Sequence, residues 1–92
     1  MAKFLMLGKY SVEAIMGITA ERTKKVVGII QESRGKVESM YALLGVYDLA
    51  FLVDFPGIQE VMKTSVALAK LTGISFTTFP AVTVEEFDKL VG

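Results

Sequence analysis

The chain has 92 residues, ten basic and ten acidic side chains, no cysteine and no histidine. Balanced charge leaves no electrostatic footprint for nucleic acid or anionic lipid. The missing cysteine and histidine exclude disulfides, a thiolate nucleophile, the commonest general base and the commonest metal ligands, so neither a metal nor a cofactor is expected.

Residues 1–92 are enough for one domain with a single core. The hydrophobic fraction is 52% and the mean hydropathy +0.51, high for a small domain with much surface to cover. A membrane span would explain it, but such a helix needs about 20 mostly apolar residues, and Asp48 and Asp54 interrupt the apolar run from Tyr41 to Phe55. Burial of a second face in a homo-oligomer is the expectation. The opening MAKFLMLGKY lacks the basic start, long apolar core and cleavage site of a signal peptide, which makes a cytoplasmic location the default.

Lys3 to Tyr10 reads as a first strand. Ser11 to Ile18 is an irregular connection with room for one helical turn. Thr19 caps a helix from Ala20 to Ser33, with Val26, Val27, Ile30 and Ser33 on one face at spacings of three and four. Glu21, Arg22, Lys24, Lys25 and Glu32 form its solvated side, a better reading of the basic cluster than a phosphate site. Gly28 costs about 1 kcal/mol against alanine and suggests a close approach of helix to sheet. Gly35 ends the helix.

Lys36 to Leu44 and Tyr47 to Phe55 read as the second and third strands, joined by a two-residue turn at Gly45-Val46 with glycine first. Pro56-Gly57 breaks the third strand. A second long helix follows from Ile58 to Leu71, its apolar stripe including Ile58, Val61, Met62, Ser65 and Ala69, and Gly73 ends it. Ile74 to Val82, rich in β-branched and aromatic residues, is a fourth strand. Thr83 and Glu86 have capping-box spacing before a short helix from Val84 to Leu90. Met6, Met16, Met40 and Met62 are scattered and read as core filler.

The order βαββαβ with right-handed crossovers predicts an α+β, ferredoxin-like fold: a four-stranded antiparallel sheet, two helices on one face and a short C-terminal helix. Pairing through Gly45-Val46 sets Leu44 opposite Tyr47 and Leu43 opposite Asp48, and paired residues share a face. Met40, Ala42, Leu44, Tyr47, Leu49, Phe51 and Val53, with Glu38 towards the edge, then belong against the helices. Val37, Ser39, Tyr41, Leu43, Asp48, Ala50, Leu52 and Asp54 lie on the other face. Covering Tyr41, Leu43 and Leu52 would contribute about 1.5–3 kcal/mol each. A second copy is the simplest cover, with the terminal helix folding back over this face as the alternative.

The same topology puts the end of the first strand beside the start of the third. Lys9 and Tyr10 then lie near Tyr47 and Asp48, with Ser11 to Ile18 and the turn at Gly73 bordering that end. A tyrosine hydroxyl, a carboxylate and an ammonium at one place could bind a small polar ligand or move a proton. The plainer reading has Asp48 accepting turn hydrogen bonds, pairing with Lys9, while Tyr47 packs under the hairpin. Glu13 is a solvated loop carboxylate in the plainer reading.

Gly45-Val46-Tyr47-Asp48 resembles the Gly-x-Tyr-Asp signature of the GYD domain proteins. Arg34-Gly35-Lys36-Val37 leading to Tyr41, Phe76-Thr77-Thr78-Phe79, and Thr83-Val84-Glu85-Glu86-Phe87 are similar to other parts of that family's pattern, while Ser11 to Ile18 departs from it. The resemblance implies a dimeric α/β-barrel relative of ferredoxin-like folds and supplies no reaction. Three functions compete: a non-enzymatic oligomer that binds a small metabolite or regulates; a cofactor-independent monooxygenase or isomerase using Lys9, Tyr47 and Asp48; and a structural protein-interaction subunit. The first is the leading expectation.

Overall fold

Alternation of period two in the N-terminal segment sends Phe4, Met6 and Gly8 to one side and Lys3, Leu5 and Leu7 to the other, which makes a strand with one face for a core. This is β1 (Ala2–Tyr10) in a computed structural model that describes residues 1–92. It is followed by α1 (Val12–Met16), α2 (Ala20–Glu32), β2 (Lys36–Ala42), β3 (Leu49–Phe55), α3 (Ile58–Thr72), β4 (Ile74–Ala81) and α4 (Val84–Val91). The four strands form one antiparallel sheet in the order β2-β3-β1-β4. This is the ferredoxin-like arrangement expected from the element order. No helix is long and apolar enough to cross a membrane.

One sheet face contributes Phe4, Met6, Phe51, Val53 and Phe55 to the core, α2 contributes Val26 and Ile30, and α3 contributes Val61 and Leu68. Met40 and Leu49 pack against this cluster. Met16 and Met62, by contrast, are exposed. Thr19 caps α2 by accepting the Arg22 N–H at 3.0 Å. A Cβ on Gly28 would meet nothing within 4 Å, so the close approach anticipated there does not occur.

The far end of α2 differs from expectation too. The left-handed residue is Arg34, with φ 60°. Its N–H donates to the Gln31 carbonyl at 2.9 Å, and the Gly35 N–H donates to the Ile30 carbonyl at 2.9 Å. That is a Schellman closure with arginine where glycine usually sits. Gly35 is needed for another reason: a Cβ there would lie 2.5 Å from the Phe55 ring and 2.8 Å from the Ile30 carbonyl.

In α3 the buried stripe is Val61, Thr64, Leu68 and Thr72. It is rotated from the expected one, and Ile58 and Met62 are each 62% exposed. Threonine reads as polar, yet the Thr72 hydroxyl donates to the Leu68 carbonyl at 2.7 Å and accepts from the Ile74 N–H at 3.1 Å. Local hydrogen bonds of this kind let it go inside. Gly57 precedes α3, and Gly73 ends it in the left-handed conformation at φ 75°.

The β2–β3 register is the expected one near the hairpin, with Ala42 opposite Leu49 and Met40 opposite Phe51. The turn is not. β2 stops at Ala42 and β3 starts at Leu49, so six residues, Leu43–Asp48, make the connection, and Gly45 sits at φ 143°. Leu44, expected against the helices, is fully exposed. A bulge between Val37 and Ser39 also shifts the far end by one residue. It turns Val37 towards the core and frees Glu38 to reach Lys3 on the open face, at 2.6 Å. Lys3 also meets Asp54 at 3.4 Å.

The face of the sheet away from α2 and α3 carries Leu5, Leu7, Tyr41, Leu52 and Phe79. Tyr41 is 64% exposed and Leu43 42%. The terminal helix does not fold back over it, since no residue of α4 is buried.

Candidate functional site

The end of β1 gathers the side chains of the candidate site. Gly8, Tyr10 and the other even-numbered residues of β1 face the helices, and the odd-numbered Lys9 faces away. Tyr10 therefore slides under the start of α2. Ser11 caps α1 by accepting the Ala14 N–H at 3.0 Å, which buries Ala14 and presents its carbonyl to α2. Arg22 donates to that carbonyl and lies over the Tyr10 ring, 5.8 Å from its centre. A guanidinium over an aromatic face is held by the ring quadrupole.

Below this pair is a cavity of about 190 Å³ between α2 and the sheet. Tyr10, Arg22 and Thr23 supply its polar groups, while Val26, Leu49, Phe51 and Ile74 are among its apolar walls. Tyr41 and Ala42 border it from β2. At about 30 Å³ of liquid volume per water, the space matches some six waters. That is smaller than the sites of drug-sized ligands, about 300–1,000 Å³.

The structure does bring Lys9, Tyr10 and Asp48 together, and gives them mostly scaffolding roles. The Asp48 carboxylate accepts the Tyr10 backbone N–H at 2.8 Å. Its own N–H donates to the Gly8 carbonyl at 2.8 Å. Lys9 Nζ donates to the Val46 carbonyl at 3.1 Å. These bonds tie the hairpin loop to β1, which is why a two-residue turn is not formed. Of the four expected ligand residues, only Tyr10 lines the cavity; Tyr47 is half-buried outside its wall.

Arg22 is the residue that sequence reasoning missed, because it was grouped with Lys24 and Lys25 on the solvated side. Those two lysines are exposed and Arg22 is not. The signal was present: Arg22 lies four residues before Val26 and eight before Ile30, on the buried stripe. No group of acidic residues is placed to hold a metal ion. One lysine has a perturbed acidity, Lys3 at the opposite end of β1: its hydrogen bond with Glu38, with Asp54 adding to it, holds its pKa above the ordinary lysine value against an opposing desolvation.

The family model of the GYD domain matches residues 4–91. No curated protein sequence matches. Among solved structures the chain is similar to the Mycobacterium tuberculosis leucine response regulatory protein LrpA, with a TM-score of 0.59 and 8% identity. The match covers 89% of this chain and 51% of that one. The chain thus spans about half the length of that structure, and the likeness concerns the fold.

Proposed function

This chain belongs to the GYD domain family, and from that premise we propose a non-enzymatic, self-associating module that binds a small metabolite and has a regulatory role. The observation that carries the reading is Arg22 held over Tyr10 at the opening of an apolar cavity. A fixed cation beside an apolar floor selects a small molecule with an apolar body and a carboxylate end. Arg22 spends one donor on Ala14, and a guanidinium has four more.

A regulatory role is supported by the likeness in fold to the leucine response regulatory protein. An enzymatic role for Lys9 and Asp48 has less support, because both are engaged in backbone hydrogen bonds. Self-association would use the open sheet face at Tyr41, Leu43 and Leu52. A cytoplasmic setting belongs to the same proposal.

The test is a thermal-shift and NMR titration with small carboxylic acids of aliphatic and aromatic body, α-amino acids among them. At least one class should raise the Tm and shift Tyr10 and Ile74 resonances. Arg22→Gln should abolish the effect while far-UV circular dichroism stays native. No stabilisation by any acid would end this reading.

A further inference from the structure

Helix α4 and the shoulder of α3 have the character of two halves of one contact. Val84, Phe87, Leu90 and Val91 recur at helical spacing on one side of α4 and are 52–76% exposed. Glu86 and Asp88 flank that apolar stripe on its two sides. Lys89 is taken up by Glu85 at 3.5 Å, so the two flanking carboxylates have no ion pair. A helix with this much exposed apolar surface needs a partner.

Between α3 and the edge strand β4 runs a groove of about 280 Å³, walled by Ile58, Met62 and Val66 and by Thr78 and Pro80. The Thr78 hydroxyl is buried without a hydrogen-bond partner. Lys63 and Lys70 stand beside Met62 and Val66 on the outer side of the helix. Neither lysine is in an ion pair. The groove itself is apolar, with two lysines beyond its α3 wall; the helix is apolar with anionic flanks.

We propose that α4 of one copy seats in the α3–β4 groove of a second copy, with one acidic flank of α4 turned towards Lys63 and Lys70. The occupant follows from charge complementarity within one sequence: both halves are encoded here, with opposite sign. The chain's own α4 leaves its own groove open, since Ile58, Met62 and Val66 are 55–62% exposed. The radius of gyration, 13.6 Å, exceeds the roughly 12 Å of a compact domain this long, as for a helix carried outside the globule. Three carboxylates against one lysine also turn α4 away from anionic lipid. This contact uses a different surface from the sheet face.

The absence of cysteine permits a direct test. Met62→Cys and Phe87→Cys variants of this chain, one carrying a mass tag, are mixed and mildly oxidised. The expected product is the mixed disulfide, in at least fivefold excess over either like-with-like disulfide. It should fall to the like-with-like level when Lys63→Glu and Lys70→Glu are added to the Met62→Cys chain. It should return when the Phe87→Cys chain also carries Glu86→Lys and Asp88→Lys. Mixed product no greater than the like-with-like products, or insensitivity to the charge changes, overturns the proposal. A disulfide that forms only inside a chain carrying both cysteines overturns it as well, by placing α4 in its own groove.

Discussion

The Asp48 carboxylate accepts the backbone N–H of Tyr10 at 2.8 Å, across 38 positions of sequence. The bond continues the β1–β3 pairing with a side chain where the backbone ladder has ended. It holds Tyr10 in place beneath Arg22, so a residue outside the cavity sets the position of one inside it. Asp48→Ala should leave that N–H unpaired and cost about 1–3 kcal/mol. Asp48→Asn keeps an acceptor and should cost less. Urea unfolding measures both, and the Tyr10 amide should exchange faster in the alanine variant.

The end of α2 separates two glycine arguments. Arg34 occupies a left-handed conformation at φ 60°, which costs a non-glycine residue about 1 kcal/mol. Arg34→Gly should therefore stabilise the fold by up to about 1 kcal/mol. Gly35→Ala should destabilise it by about 1–3 kcal/mol, because its Cβ has no room beside Phe55 and Ile30. Paired thermal melts should move in opposite directions.

Lys3 links stability to alkaline pH. Its pKa is raised in the folded chain, first by the hydrogen bond with Glu38 and then by Asp54. A cation whose folded pKa exceeds its unfolded one stabilises fully below the unfolded value and loses that contribution as pH rises through the folded value. Unfolding between about pH 9 and 12 should thus show a fall in stability beyond the ordinary lysine range. The step should be missing in Lys3→Met, which should be less stable at neutral pH.

Leu52 lies in β3 between Leu5 of β1 and Ser39 of β2, on the open face. If that face is a subunit contact, Leu52→Lys should weaken self-association at least tenfold, since burying one large apolar side chain is worth about 1.5–3 kcal/mol. Sedimentation velocity across a concentration series reads this out. A wild-type chain that stays monomeric throughout would remove the sheet-face contact from consideration.

The hairpin shows where local pattern stops being informative. Alternation with period two set the pairing of Ala42 with Leu49 and Met40 with Phe51, because a slip of one residue would turn Phe51 and Val53 out of the core. The length of the turn was not legible. It depends on Asp48 and Lys9 bonding to partners 38 and 37 positions away. The bulge at Glu38 is similar, since its ion partner Lys3 comes from another strand. Arg22 is a mixed case: its phase was readable beside Val26 and Ile30, while the Tyr10 ring that receives it was not.

By itself the sequence determined the order of elements, the antiparallel ferredoxin-like sheet, the caps at Thr19 and Thr83 and the apolar character of both sheet faces. Those follow from periodicity and capping chemistry, which act over a few residues. Only the tertiary structure decided that Asp48 serves the backbone of Tyr10, that Arg22 closes over the cavity, and that α4 stands free. Each of these depends on groups brought together from distant parts of the chain, and such pairings are chosen by the packing of the whole sheet rather than by any local pattern.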